Sequence, residues 1–160
     1  MRTLASIPRP PLSDRSPCLP SPIPLANPEV AGSTLRSVEA SVFTHLDSNG
    51  IFLSGYSRGV TVRDNLFSWL GQSAIAAWGR LDGETNSGLG GNQPRGTLIE
   101  ANVCREIGHI QKQSSFYFQA VTAQTTLRRN VVYNIPRAAI NFNDGFGGGN
   151  DLSDNLFFNR

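Results

Sequence analysis

The chain has 160 residues, of which 39% are hydrophobic, a length that suits one domain with a core of its own. Only 16% of residues are charged, the formal net charge is +2, and Lys112 is the single lysine. No basic patch forms, which excludes a nucleic-acid footprint, and no apolar run reaches the ~18 residues of a membrane-crossing helix.

Composition breaks near residue 30. Eight of the ten prolines lie in residues 1–28, and the first glycine is Gly32. Residues 1–29 therefore read as a proline-rich, disordered leader, and residues 30–160 as the folded part. The leader has no sustained apolar stretch of the kind a secretory signal needs. Its Pro8-Arg9-Pro10-Pro11 run also fits a ligand of a proline-recognition domain. Of the two cysteines, Cys18 falls in the leader, and Cys104 sits in an apolar strand pattern as a small core residue.

From residue 36 onward the chain repeats. The copies RSVEASVFTHLD, VTVRDNLFSWLG, TLIEANVCREIG, TLRRNVVYNIP and NDLSDNLFFN align on Ser41, Asn65, Asn102, Asn130 and Asn155. The spacings between these anchors are 24, 37, 28 and 25, and the 37 contains the insertion RLDGETNSGLGGNQP. Apolar residues recur three before the anchor (Val38, Val62, Ile99, Leu127, Leu152), one after it (Val42, Leu66, Val103, Val131, Leu156) and five after it (Leu46, Leu70, Ile107, Ile135). Short alternating runs at this period, with Asn and Gly at the corners, predict a parallel β-helix of about five coils with three strands each. No segment holds a 3.6 period long enough for a helical repeat. Stacked coils place the anchor asparagines above one another at roughly 4.8 Å. Asn tolerates a left-handed corner, and its amide can bond up and down the stack, so these residues predict a structural ladder.

The third strand of each coil is the informative one. Its copies are IFLSG, AIAAWG, FYFQA and AINFND. Alternation sends Ile51, Leu53, Ile75, Ala77, Phe116, Phe118, Ile140 and Phe142 inward. The outward columns are then Phe52, Ala76, Tyr117, Asn141 and Ser54, Trp78, Gln119, Asn143. Rings beside amides suit a saccharide, whose CH faces stack on rings and whose hydroxyls bond amides. Two readings stay open: this face binds a ligand, or loops cover it.

The loops leaving this strand share one edge, and the stretch NFNDGFGGGND (141–151) turns the corner there. It is no phosphate cradle, because no helix start follows and no lysine is near. The acids at the rim are Asp144, Asp82 and Glu84. A glycosidase needs two carboxyls about 5–9.5 Å apart, so Asp144 is the acid–base candidate and Asp82 or Glu84 its partner. Arg58, Arg80 and Arg137 lie near the same edge, as a lyase would use. His45 and His109 lack paired ligand spacing, so no metal or other cofactor is expected.

The runs NGIFLSGYSRGVTVRDNLFSWLGQSAIAAWG, KQSSFYFQAVTAQT and PRAAINFNDGFGGGN resemble right-handed parallel β-helix proteins of the pectin-lyase-like superfamily. The likeness is to a group carrying the KQSS and NFNDGFGGG signatures, and it covers about residues 36–160. It implies a right-handed coil and a polysaccharide or oligosaccharide partner, with glycoside hydrolases and polysaccharide lyases among the relatives. Such proteins are often secreted, so the resemblance allows an extracellular location, while no signal peptide is seen and the location stays open. In that group the solenoid continues further, so the resemblance also implies a partial domain truncated at its C-terminus.

The expectation is thus a carbohydrate-binding or carbohydrate-processing β-helix, with Trp78, Tyr117, Gln119, Asn141 and Asn143 on the saccharide face and Asp144, Asp82 and Glu84 as candidate catalytic acids. The alternatives are a non-catalytic binding or structural module and an inactive fragment of a longer solenoid.

Overall fold

A computed structural model describes residues 36–80, 92–144 and 147–159. The first turn of chain contains β1 (Arg36–Glu39), β2 (Val42–Leu46) and β3 (Ile51–Ser54). The second contains β4 (Val60–Arg63), β5 (Leu66–Leu70) and β6 (Ile75–Trp78). The third has β7 (Leu98–Glu100), β8 (Val103–Ile107) and β9 (Tyr117–Ala120), and the fourth β10 (Thr126–Arg128), β11 (Val131–Tyr133) and β12 (Ile140–Asn143). Strands β13 (Asp151–Ser153) and β14 (Leu156–Phe158) follow.

Every strand pairs in parallel with its counterpart one turn away. The result is three sheets, ordered β1-β4-β7-β10-β13, β2-β5-β8-β11-β14 and β3-β6-β9-β12. The chain is an all-β parallel solenoid of about four turns, without a helix among the described residues. All five expected copies are present in the first two sheets, and the third sheet has four strands. Residues 1–29, with the leader expectation, lie outside the described residues.

The anchor ladder forms as the repeat predicts. Asn65 Nδ2 donates to Asn102 Oδ1, Asn102 Nδ2 to Asn130 Oδ1, and Asn130 Nδ2 to Asn155 Oδ1, all at 2.9–3.0 Å. Each Nδ2 also donates back to the carbonyl of an inward residue one turn earlier, as Asn102 does to Val62 at 3.0 Å. Each Oδ1 accepts the backbone N–H of the preceding anchor, starting with Ser41 N–H to Asn65 at 3.0 Å. The amides of Asn102 and Asn130 are buried and saturated, and Asn65 is buried as well.

The left-handed backbone, however, is not at the anchors. It falls one residue earlier, at Ala40, Asp64, Ala101, Arg129 and Asp154, with φ between 48° and 56°. That residue makes the sharp bend, which frees the anchor itself to turn its amide into the stack. A second left-handed column, His45, Trp69, Glu106, Asn134 and Asn159, makes the next corner.

Inside, Val62, Ile99 and Leu127 from the first sheet meet Phe67, Cys104 and Val132 from the second, all fully buried. Phe43 stacks on Phe67 at 5.0 Å between ring centres, and Phe67 meets Phe116 edge-on at 6.3 Å. Cys104 is a free core thiol, and burial pushes its pKa up. The apolar position just after the anchor points the other way: Val42, Val103 and Leu156 are exposed on the outer face of the second sheet. On the outer face of the first sheet, charges alternate along the stack. Arg63 pairs with Glu39 at 2.8 Å, and Arg128 with the buried Glu100 at 3.0 Å, with Arg129 also on Glu100.

Candidate functional site

The third sheet positions the candidate site. Its register aligns Ile51, Ile75, Tyr117 and Ile140, then Phe52, Ala76, Phe118 and Asn141. The next two columns are Leu53, Ala77, Gln119, Phe142 and Ser54, Trp78, Ala120, Asn143. Three of the four strands therefore keep the phase that alternation predicts, although Phe142 in the end strand β12 is 44% exposed instead of in the core, and β9 does not keep it.

In β9 the faces are exchanged. Tyr117 is fully buried and Gln119 is 6% exposed, so both expected saccharide contacts point into the core, while Phe118 is on the outer face. The cause is loop length. Leu70 aligns with Ile107 and Ile75 with Tyr117, so five steps in one turn correspond to ten in the next. The insertion is therefore five residues, and an odd count reverses every side chain relative to an even one. Once inside, Tyr117 needs partners for its hydroxyl. It meets Gln119 Oε1 and Thr125 Oγ1, each at 3.1 Å. Burial pushes the Tyr117 phenol up to about 12, against the smaller opposing effect of the neighbouring Thr125 and Thr122 hydroxyls.

A groove of about 260 Å³ runs over this outer face. Its floor is the column Phe52, Ala76, Phe118 and Asn141, and Trp78 and Asn143 rise along one side. Trp78 is 47% exposed, and its ring lies 5.7 Å from that of Phe118, tilted by 45°. The opposite lip comes from the corner before the strand: Asn49, Gln72, Gln113 and Arg137. Gln113 belongs to the five-residue insertion, which therefore builds part of the lip.

The amides here differ from those of the ladder. The side-chain amides of Gln72, Gln111, Gln113, Asn141 and Asn143 make no hydrogen bond among the described residues. Arg137 reaches the Gln113 carbonyl at 3.4 Å. Among the described residues lining the groove there is no carboxylate. The surface thus offers aromatic faces, free amide donors and acceptors, and one guanidinium.

Of the candidate acids, Asp144 is exposed at the corner just past β12, with φ 47°, and is not part of the groove lining. Asp82 and Glu84 lie outside the described residues. Arg58 is at the neighbouring corner, its guanidinium 4.5 Å over the Tyr56 ring. Its pKa is lowered by burial first and by Arg95 second. Arg80 is exposed, with its N–H donated to the Asn92 carbonyl at 2.7 Å.

The glycine run after Asp144 is a corner. A Cβ on Gly147 would sit 1.9 Å from the Thr122 carbonyl oxygen, and its φ of 118° disfavours any side chain. Asn150 Oδ1 then accepts the Thr125 N–H at 3.0 Å, closing the turn onto the coil below. His45 and His109 are not alone: they stack on the two faces of Trp69, at 6.2 and 5.2 Å. Among the described residues, no group of three His, Cys, Asp or Glu side chains comes together.

Sequence reasoning missed Phe118 and the lip residues Gln72 and Gln113. Phe118 would follow from the same alternation rule once the insertion is counted as five. The lip residues carry no periodic signal, because they sit in corners whose lengths vary. Comparison with known proteins adds no relative: no family model, no curated protein and no solved structure matches this chain.

Proposed function

We propose that the protein binds a polysaccharide or oligosaccharide along the outer face of the third sheet. The observation that carries this reading is the groove itself, where Phe52, Trp78 and Phe118 present rings beside five uncommitted amides. Sugar rings offer apolar CH faces and a periphery of hydroxyls, and such a surface meets both. These amides are exposed or half-buried, so their donors and acceptors are open to the hydroxyls of a ligand that stacks on the neighbouring rings. The resemblance to pectin-lyase-like β-helix proteins supports the same class of ligand.

Binding is better supported than turnover, since the described groove lining has no carboxylate and Asp144 is outside it. A hydrolase reading rests on Asp144 with Asp82 or Glu84, and needs two carboxyls about 5–9.5 Å apart.

The test is a glycan screen with the full chain, followed by titration calorimetry on any hit. Trp78→Ala should weaken binding at least tenfold while leaving the circular dichroism unchanged, because the ring is half-exposed. If no glycan binds, or if Trp78→Ala binds as well as the parent, the reading fails. Should a bound glycan be cleaved, Asp144→Ala decides the acid–base role: unchanged turnover removes it.

A further inference from the structure

The two outward columns of the third sheet alternate in size. The first reads Phe52, Ala76, Phe118, Asn141 and the second Ser54, Trp78, Ala120, Asn143. The large residues of one column therefore stand beside the small residues of the other. Ala76 is the hole in this checkerboard. Phe52 and Phe118 flank it one coil below and one coil above, so they are roughly 9–10 Å apart along the stack. Trp78, two residues further along the same strand, closes a third side and leans against Phe118 at 5.7 Å. The fourth side opens toward the polar corner, with Ser73 and the uncommitted amides of Gln72 and Gln113.

The niche over Ala76 is thus apolar on three sides and amide-lined on the fourth. A plain hydroxyl placed there would lose its water to three rings. A group fits if it carries a methyl next to a donor and an acceptor. Resting on the carbohydrate reading above, we infer that the niche receives the acetamido group of an N-acetylated amino sugar. The methyl enters between Phe52, Trp78 and Phe118, and the amide N–H and C=O pair with the Gln72 and Gln113 side chains. Ala76 is then the specificity-determining residue, because only a small side chain leaves the niche open.

Titration of the full chain with β-1,4-linked N-acetylglucosamine oligomers and with glucose oligomers of the same length and linkage tests this. The acetylated series should bind about tenfold tighter, from one buried methyl and one amide pair. Ala76→Leu, whose side chain projects into the groove, should erase that preference with circular dichroism unchanged. Ala76→Val gives the same readout with a smaller change in volume. Equal affinity for the two series, or a preference that survives both Ala76 variants, overturns the niche inference and leaves the carbohydrate reading standing. Failure of both series and of a wider glycan panel to bind overturns the two together.

Discussion

The anchor corner and the third-sheet groove use the same chemical group to opposite ends. At the corner, Asn102 spends both amide protons and both acceptor sites inside the stack. In the groove, the side-chain amides of Asn141, Asn143 and three glutamines spend none among the described residues. Burial and pairing make the first set structural. Exposure, idle donors and neighbouring rings make the second set available to a ligand. An asparagine in a solenoid is therefore read by where its hydrogen bonds go.

The sharpest way to break this contrast is to delete one amide from each set. Asn102→Ala strands the Asn65 N–H and one Asn65 amide proton, leaves the Asn130 amide oxygen one donor short and removes a donor from the Val62 carbonyl, and should cost about 3 kcal/mol or more in a denaturant melt. Tyr117→Phe probes the residue that crossed from the expected groove face into the core. Its folded pKa of about 12 lies above the ordinary 10.0, so the stability it supports is complete below pH 10 and is lost as pH rises toward 12. The parent should lose about 2–3 kcal/mol across that window beyond what Tyr117→Phe loses, seen as a steeper alkaline fall in melting temperature. Gly147→Ala should cost about 1–3 kcal/mol, since its Cβ would meet the Thr122 carbonyl. The smallest effect belongs to the groove: Asn141→Ala should change stability by no more than about 0.5 kcal/mol, yet weaken a bound glycan roughly fivefold. A stability loss for Asn141→Ala equal to that of Asn102→Ala would erase the distinction.

The solenoid was legible because each coil repeats the same physical demand. A ladder asparagine must recur once per turn, with apolar residues at fixed distances from it, and Asn65, Asn102, Asn130 and Asn155 satisfy this without knowledge of loop lengths. The groove was legible where loops are constant, at Phe52, Ala76, Trp78, Asn141 and Asn143. It failed at β9, where facing depends on whether an insertion is odd or even. Apolar and polar residues alternate there in FYFQ, so either phase gives a plausible strand. The buried trio of Tyr117, Gln119 and Thr125 resolves the phase only once Thr125 is known to lie beside them. The left-handed corner lies one residue before the anchor for a similar reason: Ala101 carries no signal for that conformation, whereas the asparagine after it tolerates it.

The stack of His45, Trp69 and His109 gives this molecule a spectroscopic handle. Trp69 and Trp78 are its two tryptophans, one clasped by imidazoles at a corner and one standing in the groove. On the proposed binding reading, a sugar laid on Trp78 would shift that emitter and leave the Trp69 stack undisturbed. Fluorescence of the unlabelled protein thereby separates the corner from the groove, and replacing either tryptophan isolates the other signal.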